Sequence, residues 1–166
     1  MAGRRDLAEL LIAHGADVNG ADSEGRAPLF FASGVGVTGT WRRSMAEFLM
    51  DRGAALNVRD KAGRTPLQTA AERHNACLGQ FLLERGADPD TADDAAMTPL
   101  HAAVDTGARG LVVLLLKSGA RMDMRDRDGL TPLGLAMSNG DRYTADLLRR
   151  KAAPGGRWIA PAEAWR

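Results

Sequence analysis

Apolar positions in this chain fall into short blocks at helical spacing. Leu78, Phe81 and Leu82 stand at i, i+3 and i+4, and Leu111, Leu114 and Leu115 show the same spacing further along the chain. A shorter stripe precedes each block, Leu67, Ala70 and Ala71 in the first case, and it starts just after a Thr-Pro pair. Proline in the first turn of a helix is tolerated because its missing N–H has no intrahelical partner there, and threonine ahead of it is a good cap. Gly86 and Gly119 follow the longer blocks, while Gly107 and Gly140 fall between stripes, where a left-handed residue reverses the chain. The pattern predicts antiparallel helix pairs, with strand content negligible beyond hairpin turns.

The pairs recur in phase. Thr65-Pro66-Leu67 returns as Thr98-Pro99-Leu100 and Thr131-Pro132-Leu133 at an equal interval of 33. Ala27-Pro28-Leu29 stands upstream at an interval of 38, which implies a five-residue insertion. A second landmark keeps step at Gly15-Ala16, Gly53-Ala54, Gly86-Ala87 and Gly119-Ala120. The interval from the first landmark to the second is 21 from Thr65 and Thr98 but 26 from Ala27, so the insertion lies between them. Asp22-Ser23-Glu24-Gly25, Asp60-Lys61-Ala62-Gly63 and Asp126-Arg127-Asp128-Gly129 read as tight turns, with Asp bonding nearby backbone. One turn plus two helices cannot bury its own apolar face, so the units must stack.

Thr98-Pro99-Leu100-His101-Ala102-Ala103 matches the T-P-L-H-x-A signature of ankyrin repeats in full, and Leu114-Leu115-Leu116 with Gly119-Ala120 matches their helix-and-turn ending. From residue 3 to about 153 the chain resembles an ankyrin-repeat protein. The resemblance implies an all-α solenoid of stacked helix-turn-helix units linked by β-hairpin-like turns. The register gives a half repeat at 3–21, repeats at 22–59, 60–92, 93–125 and 126–153, and a tail at 154–166 whose Trp158 and Trp165 are expected to cover the last repeat. Gly3 falls at the inter-helix glycine, and Leu7, Leu10, Leu11 and Ile12 fall at second-helix core positions. Either a lone helix caps the stack or upstream residues were cut away. Three departures stand out. Ala96 replaces a turn glycine, which predicts a distorted hairpin at 93–97. His74-Asn75 replaces an inter-helix glycine, with Asn the better suited of the two. The signature His is Phe30, Gln68 and Gly134 elsewhere, which leaves its hydrogen-bond role to His101 alone.

Composition narrows the function. Hydrophobic residues make up 45% of the 166, enough for a core, and aromatics only 5%, so small residues and Leu must build it. Lys and Arg number 22 against 21 Asp and Glu, a formal charge of +1. Nucleic-acid binders show a basic excess or stripe, so no nucleic-acid partner is expected. Cys77 is the one cysteine, which excludes an intramolecular disulfide and any multi-Cys metal site. No run approaches the ~18 apolar residues of a membrane span. Arg4-Arg5 ahead of Leu7 has the look of a twin-arginine signal, but Asp6 and Glu9 interrupt the apolar region. The expected location is the cytoplasm; secretion as an effector stays open.

The motifs that could carry chemistry read better as structure. Gly34-Val35-Gly36-Val37-Thr38-Gly39 is a literal G-x-G-x-x-G, but it follows a first helix rather than a strand, and Asp60 is already a turn residue. Cys77 and His74 are three apart on a helix, yet no orienting group or oxyanion site accompanies them. His14, His74 and His101 fall at different phases, so no shared metal is expected. Asp126-x-Asp128-Gly129 opens like a calcium loop but lacks the closing acid, with Ala136, Met137 and Ser138 around its place. Asp88, Asp90, Asp93 and Asp94 read as a solvated hairpin group. No catalytic residue, metal or cofactor is predicted.

What remains is binding. The resemblance implies protein recognition through hairpin tips and the face of the first helices. On this chain those are Arg59, Lys61, Ala62 and Arg64, then Ala92, Asp94, Ala95 and Met97, then Arg125, Arg127, Asp128 and Leu130. The first-helix ends add Glu72, Arg73, Asp105, Thr106, Ser138 and Asn139. Ser44 and Glu47 read as an S-x-x-E capping box, which places Trp41, Arg42 and Arg43 outside that helix, in a Gly-rich loop that the repeat does not require. Trp and Arg are enriched in interface hot spots. The expected protein is a monomeric scaffold, adaptor or inhibitor of a protein partner. The rival is a recruiting segment of a larger enzyme or secreted effector.

Overall fold

The computed structural model describes the backbone of residues 3–32 and 39–152, and the side chains of 5–32 and 45–152. Among the described residues every regular element is a helix: α1 (Gly3–Ala13), α2 (Pro28–Ala32), α3 (Gly39–Asp51), α4 (Pro66–Glu72), α5 (Ala76–Glu84), α6 (Pro99–Asp105), α7 (Arg109–Lys117), α8 (Pro132–Ser138) and α9 (Arg142–Ala152). The expected all-α stack is therefore observed, with α1 alone and α2/α3, α4/α5, α6/α7 and α8/α9 as pairs. The short helices α2, α4, α6 and α8 contact one another in sequence and form one layer; α3, α5, α7 and α9 form the other.

The Thr-Pro starts behave as the sequence predicts. Thr65, Thr98 and Thr131 are extended, each has proline next in the chain, and their hydroxyls accept the N–H of Gln68, His101 and Gly134 at 3.2–3.4 Å. A cap of this kind contributes ~1 kcal/mol. Leu67, Leu78, Leu82, Leu100, Leu111 and Leu115 are at most 1% exposed between the layers, each contributing ~1.5–3 kcal/mol by burial.

Two polar ladders lock successive units. At the tips, the N–H groups of Lys61, Asp94 and Arg127 donate to the carbonyls of Glu24, Ala62 and Ala95 at 2.9–3.0 Å. At the far end of the second helices, the side chains of Asn19, Asn57 and Asp90 accept the N–H groups of Ala55, Asp88 and Arg121 at 2.8–3.3 Å. Both sets of donors sit at fixed register, so the ladders hold neighbouring units in one alignment.

Several expectations need correction. The hairpin at 93–97 is not distorted: Ala96 takes φ 58 and donates to the Asp93 carbonyl at 2.9 Å, the same bond made by Gly25, Gly63 and Gly129. Asp93 Oδ1 also accepts the N–H groups of Ala95 and Met97, which holds the turn against the cost of the left-handed alanine. Between α4 and α5 it is His74, not Asn75, that takes positive φ, at 54; Asn75 instead caps α5, accepting the Leu78 N–H. The S-x-x-E box does not cap α3, because that helix already runs from Gly39 and Ser44 lies inside it. No glycine or proline interrupts residues 40–52, so nothing stops the helix from extending upstream. Leu7, Leu10 and Leu11, placed at core positions, are 54%, 57% and 53% exposed, because among the described residues no short helix is laid against that face. The tail from 153 on and its tryptophans lie outside the described residues.

Candidate protein-binding surface

The tips are built on an aspartate that turns the chain and then holds a partner. Asp22 Oδ1 accepts the N–H groups of Glu24 and Arg26, and Asp60 Oδ1 those of Ala62 and Arg64. The second oxygen takes a guanidinium: Arg26 reaches Asp22 at 2.8 Å and Arg64 reaches Asp60 at 2.7 Å. Hydrogen bonds from the Arg26 side chain and backbone hold the Asp22 carboxyl at a pKa of about 2. In the third tip, Met97 stands where the arginine would be, and Gln68 supplies the donor instead, from Nε2 to Asp93 Oδ2 at 2.7 Å.

Gln68 also corrects the reading of the signature histidine. His101 is fully buried; its Nε2 lies 3.1 Å from the Leu130 carbonyl and its Nδ1 lies 2.9 Å from the Thr98 hydroxyl. A carbonyl only accepts, so Nε2 carries the proton. Gln68 Nε2 donates to the Met97 carbonyl at 3.2 Å, the equivalent bond one repeat earlier. The role is therefore kept by Gln68 as well as by His101. Burial pushes the His101 pKa below its ordinary value, against the opposing pull of the Leu130 carbonyl and the Asp126 charge.

The expected site residues divide into two groups. Arg64, Met97 and Leu130 are only partly exposed and serve the fold: Arg64 braces the Asp60 turn, and the carbonyls of Met97 and Leu130 close the bonds just described. Arg59, Lys61, Arg73, Asp94, Asp105 and Arg127 project into solvent on tips and first-helix ends. Arg59 and Asp94 approach across adjacent tips at 3.7 Å, an exposed pair that contributes little. Asp105 accepts a hydrogen bond from Asn139 of the next pair at 3.3 Å. Trp41, Arg42 and Arg43 lie within the first five residues of α3 rather than in a loop; their side chains, and residues 33–38, lie outside the described residues. The acidic group is not simply solvated. Asp88 accepts the Asp90 N–H and the Thr91 hydroxyl, Asp90 holds the Arg121 N–H and Asp93 forms its turn, while Asp94 is exposed on the tip beside Arg59.

An exposed aromatic residue escaped the sequence reading. Phe31 of α2 is 57% exposed, and the Arg26 guanidinium lies 5.2 Å over its ring. In register it stands where α4 has Thr69 and α6 has Ala102, and that substitution was the available signal. Phe31, Arg26, Arg64, Thr69, Glu72 and Arg73 line a groove of about 240 Å³ together with Phe30 and Asp60. Burial pushes the Glu72 carboxyl up from its usual range, against the pull of Arg64 and Arg73. Cys77 is exposed on α5, on the other layer. Among the described residues no cluster of three or more His, Cys, Asp or Glu is placed to hold a metal ion. No described helix is long and apolar enough to cross a membrane.

A family model described as ankyrin repeats (3 copies) matches residues 40–126 and 79–155. The chain belongs to the ankyrin-repeat family. No curated protein matches it closely enough to add to that assignment. Ankyrin repeats are in general protein–protein interaction modules.

Proposed function

We propose that this ankyrin array is a non-enzymatic scaffold, adaptor or inhibitor that binds a protein partner through its tips, its first-helix face and the 33–44 segment, acting as a cytoplasmic monomer. One observation carries the reading. Positions of equal register on the first-helix face hold a different side chain in every pair: exposed Phe31 is matched by half-buried Thr69, buried Ala102 and half-buried Leu135, and the first-helix C-caps are Arg73, Thr106 and Asn139. A scaffold that repeats its structural residues and varies these can present a specific surface without loss of stability. The surface is mixed in sign, with exposed Arg59, Lys61 and Arg127 and exposed Asp94 and Asp105, which suits a partner of alternating charge.

The test is affinity capture with the folded chain, followed by titration of the captured protein against variants. Trp41→Ala is expected to weaken binding by ~2 kcal/mol or more as a hot-spot anchor. Lys61→Glu is expected to weaken it by less and in a salt-dependent way. Arg150→Ala on α9 should change nothing. Binding that survives the first two changes and fails with the third would move the interface to the long-helix layer.

A further inference from the structure

The groove between α2 and α4 deepens that reading and rests on it, because it names what the first-helix face takes at one point. Its volume, about 240 Å³, is below the ~300–1,000 Å³ of ordinary small-molecule sites and matches a single large side chain. One wall is an aromatic ring held ready. Arg26 lies over the Phe31 ring, and Arg26 is itself fixed by two bonds to Asp22, at 3.0 and 2.8 Å, so Phe31 has little freedom to lose on binding. An exposed ring of that kind favours an apolar occupant.

The charges at the rim choose the rest. Arg26 is paired with Asp22, and Arg64 with both Asp60 at 2.7 Å and Glu72 at 3.5 Å. Among the described residues, the Arg73 side chain makes neither a hydrogen bond nor an ion pair, although it is exposed at the end of α4 beside the groove. Among the described charged groups that line the groove, Arg73 alone makes no hydrogen bond or ion pair, although its charge also pulls on neighbouring Glu72; the complement of that guanidinium is a carboxylate. No other level of the face combines these features: Thr69, Ala102 and Leu135 take the Phe31 position in the later pairs, and Thr106 and Asn139 the Arg73 position.

We propose that this groove receives a segment of a partner protein in which a bulky apolar side chain stands within a few residues of an Asp or Glu, the apolar group lying on Phe31 and the carboxylate meeting Arg73. Both requirements are set by groups already in place, so the segment can be short.

The probe is a random dodecapeptide library displayed on phage and panned on the immobilised chain, with recovered peptides synthesised and titrated by fluorescence polarisation. The expected result is a shared apolar residue and acid. Phe31→Ser and Arg73→Glu should each weaken those peptides at least ten-fold with the circular dichroism unchanged, and replacing the peptide's acid with Lys should restore binding to Arg73→Glu. Failure to recover peptides, recovery of sequences without the pair, or titrations insensitive to both substitutions would overturn the proposal. If Lys61→Glu or Asp105→Arg abolished binding while Phe31→Ser and Arg73→Glu did not, the groove would be wrong and the first-helix face would stand. If only Arg150→Glu on the long-helix layer had an effect, both would fall.

Discussion

Replacing Gln68 with alanine isolates the bond that joins α4 to the next tip. In the folded chain Gln68 is 1% exposed, and its Nε2 donates to Asp93 Oδ2 at 2.7 Å and to the Met97 carbonyl at 3.2 Å. A bond to a charged acceptor contributes roughly 1.5–3 kcal/mol and a neutral one about 1, while an acceptor left buried and unpaired adds to the loss. Asp93 keeps its two backbone N–H partners through Oδ1, which limits the damage. The expected cost of Gln68→Ala is therefore about 2–3 kcal/mol. Gln68→His should recover at least half of it, because His101 makes the equivalent bond to Leu130 in the next unit. Urea denaturation followed by far-UV circular dichroism and by tryptophan fluorescence measures both variants, with coincident transitions required before a free energy is taken. A cost below about 0.5 kcal/mol, or a histidine variant no better than alanine, would refute the claim that Gln68 stands in for the signature residue.

Other changes test separate parts of the fold. Ala96→Gly removes a Cβ held at φ 58, which costs an L-residue about 1–2 kcal/mol, against about 0.4–1 kcal/mol of added chain entropy; a small rise in urea midpoint is expected, and a fall would contradict the strain. Leu82→Ala, at a fully buried position, should cost about 2–5 kcal/mol, while Leu11→Ala at the matching position of α1, 53% exposed, should cost under about 1 kcal/mol; equal thermal-melt losses would contradict the exposure difference. His101 is held below its ordinary pKa, so the unfolded chain takes up the proton first. Its contribution is full above about pH 6.5, declines as pH falls from there toward the lower folded value, and then levels off. His101→Gln should therefore flatten the stability profile over that window, and an unchanged slope would remove His101 as its source.

The fold was legible because its signals repeat. One Thr-Pro-Leu is ambiguous, but three at an interval of 33 fix a phase, and that phase locates the helix starts, the reversing glycines and the buried leucines together. The departures were harder because each depends on contacts that residue spacing does not show. Gln68 keeps the histidine's role only because Asp93 and the Met97 carbonyl come within reach of Nε2 across 25 and 29 residues of chain. Ala96 keeps a glycine turn because Asp93 binds both flanking N–H groups. Leu7, Leu10 and Leu11 have the periodicity of a core face, and periodicity does not say whether another helix covers it. Ser44 and Glu47 fit a cap motif by spacing, which cannot reveal that the helix already runs through Gly39. At the candidate surface, tip charges were visible in register, but the division of Arg64 from Arg73, one pairing with Asp60 and the other exposed without an ion pair, depended on side-chain geometry. Phe31 was hidden inside an apolar run; its register position, Thr69 and Ala102 in the next pairs, was the sequence signal, and its exposure is what separates it from buried Phe30 in the fold.

Hydrogen–deuterium exchange on the complex with a captured protein partner tests the central claim most directly. Added protection is expected in peptides covering the tips and short helices, residues 22–32, 59–73 and 92–106, with α5, α7 and α9 unchanged. Protection confined to α5, α7 and α9, with the tips and short helices exchanging as in the free chain, would contradict it.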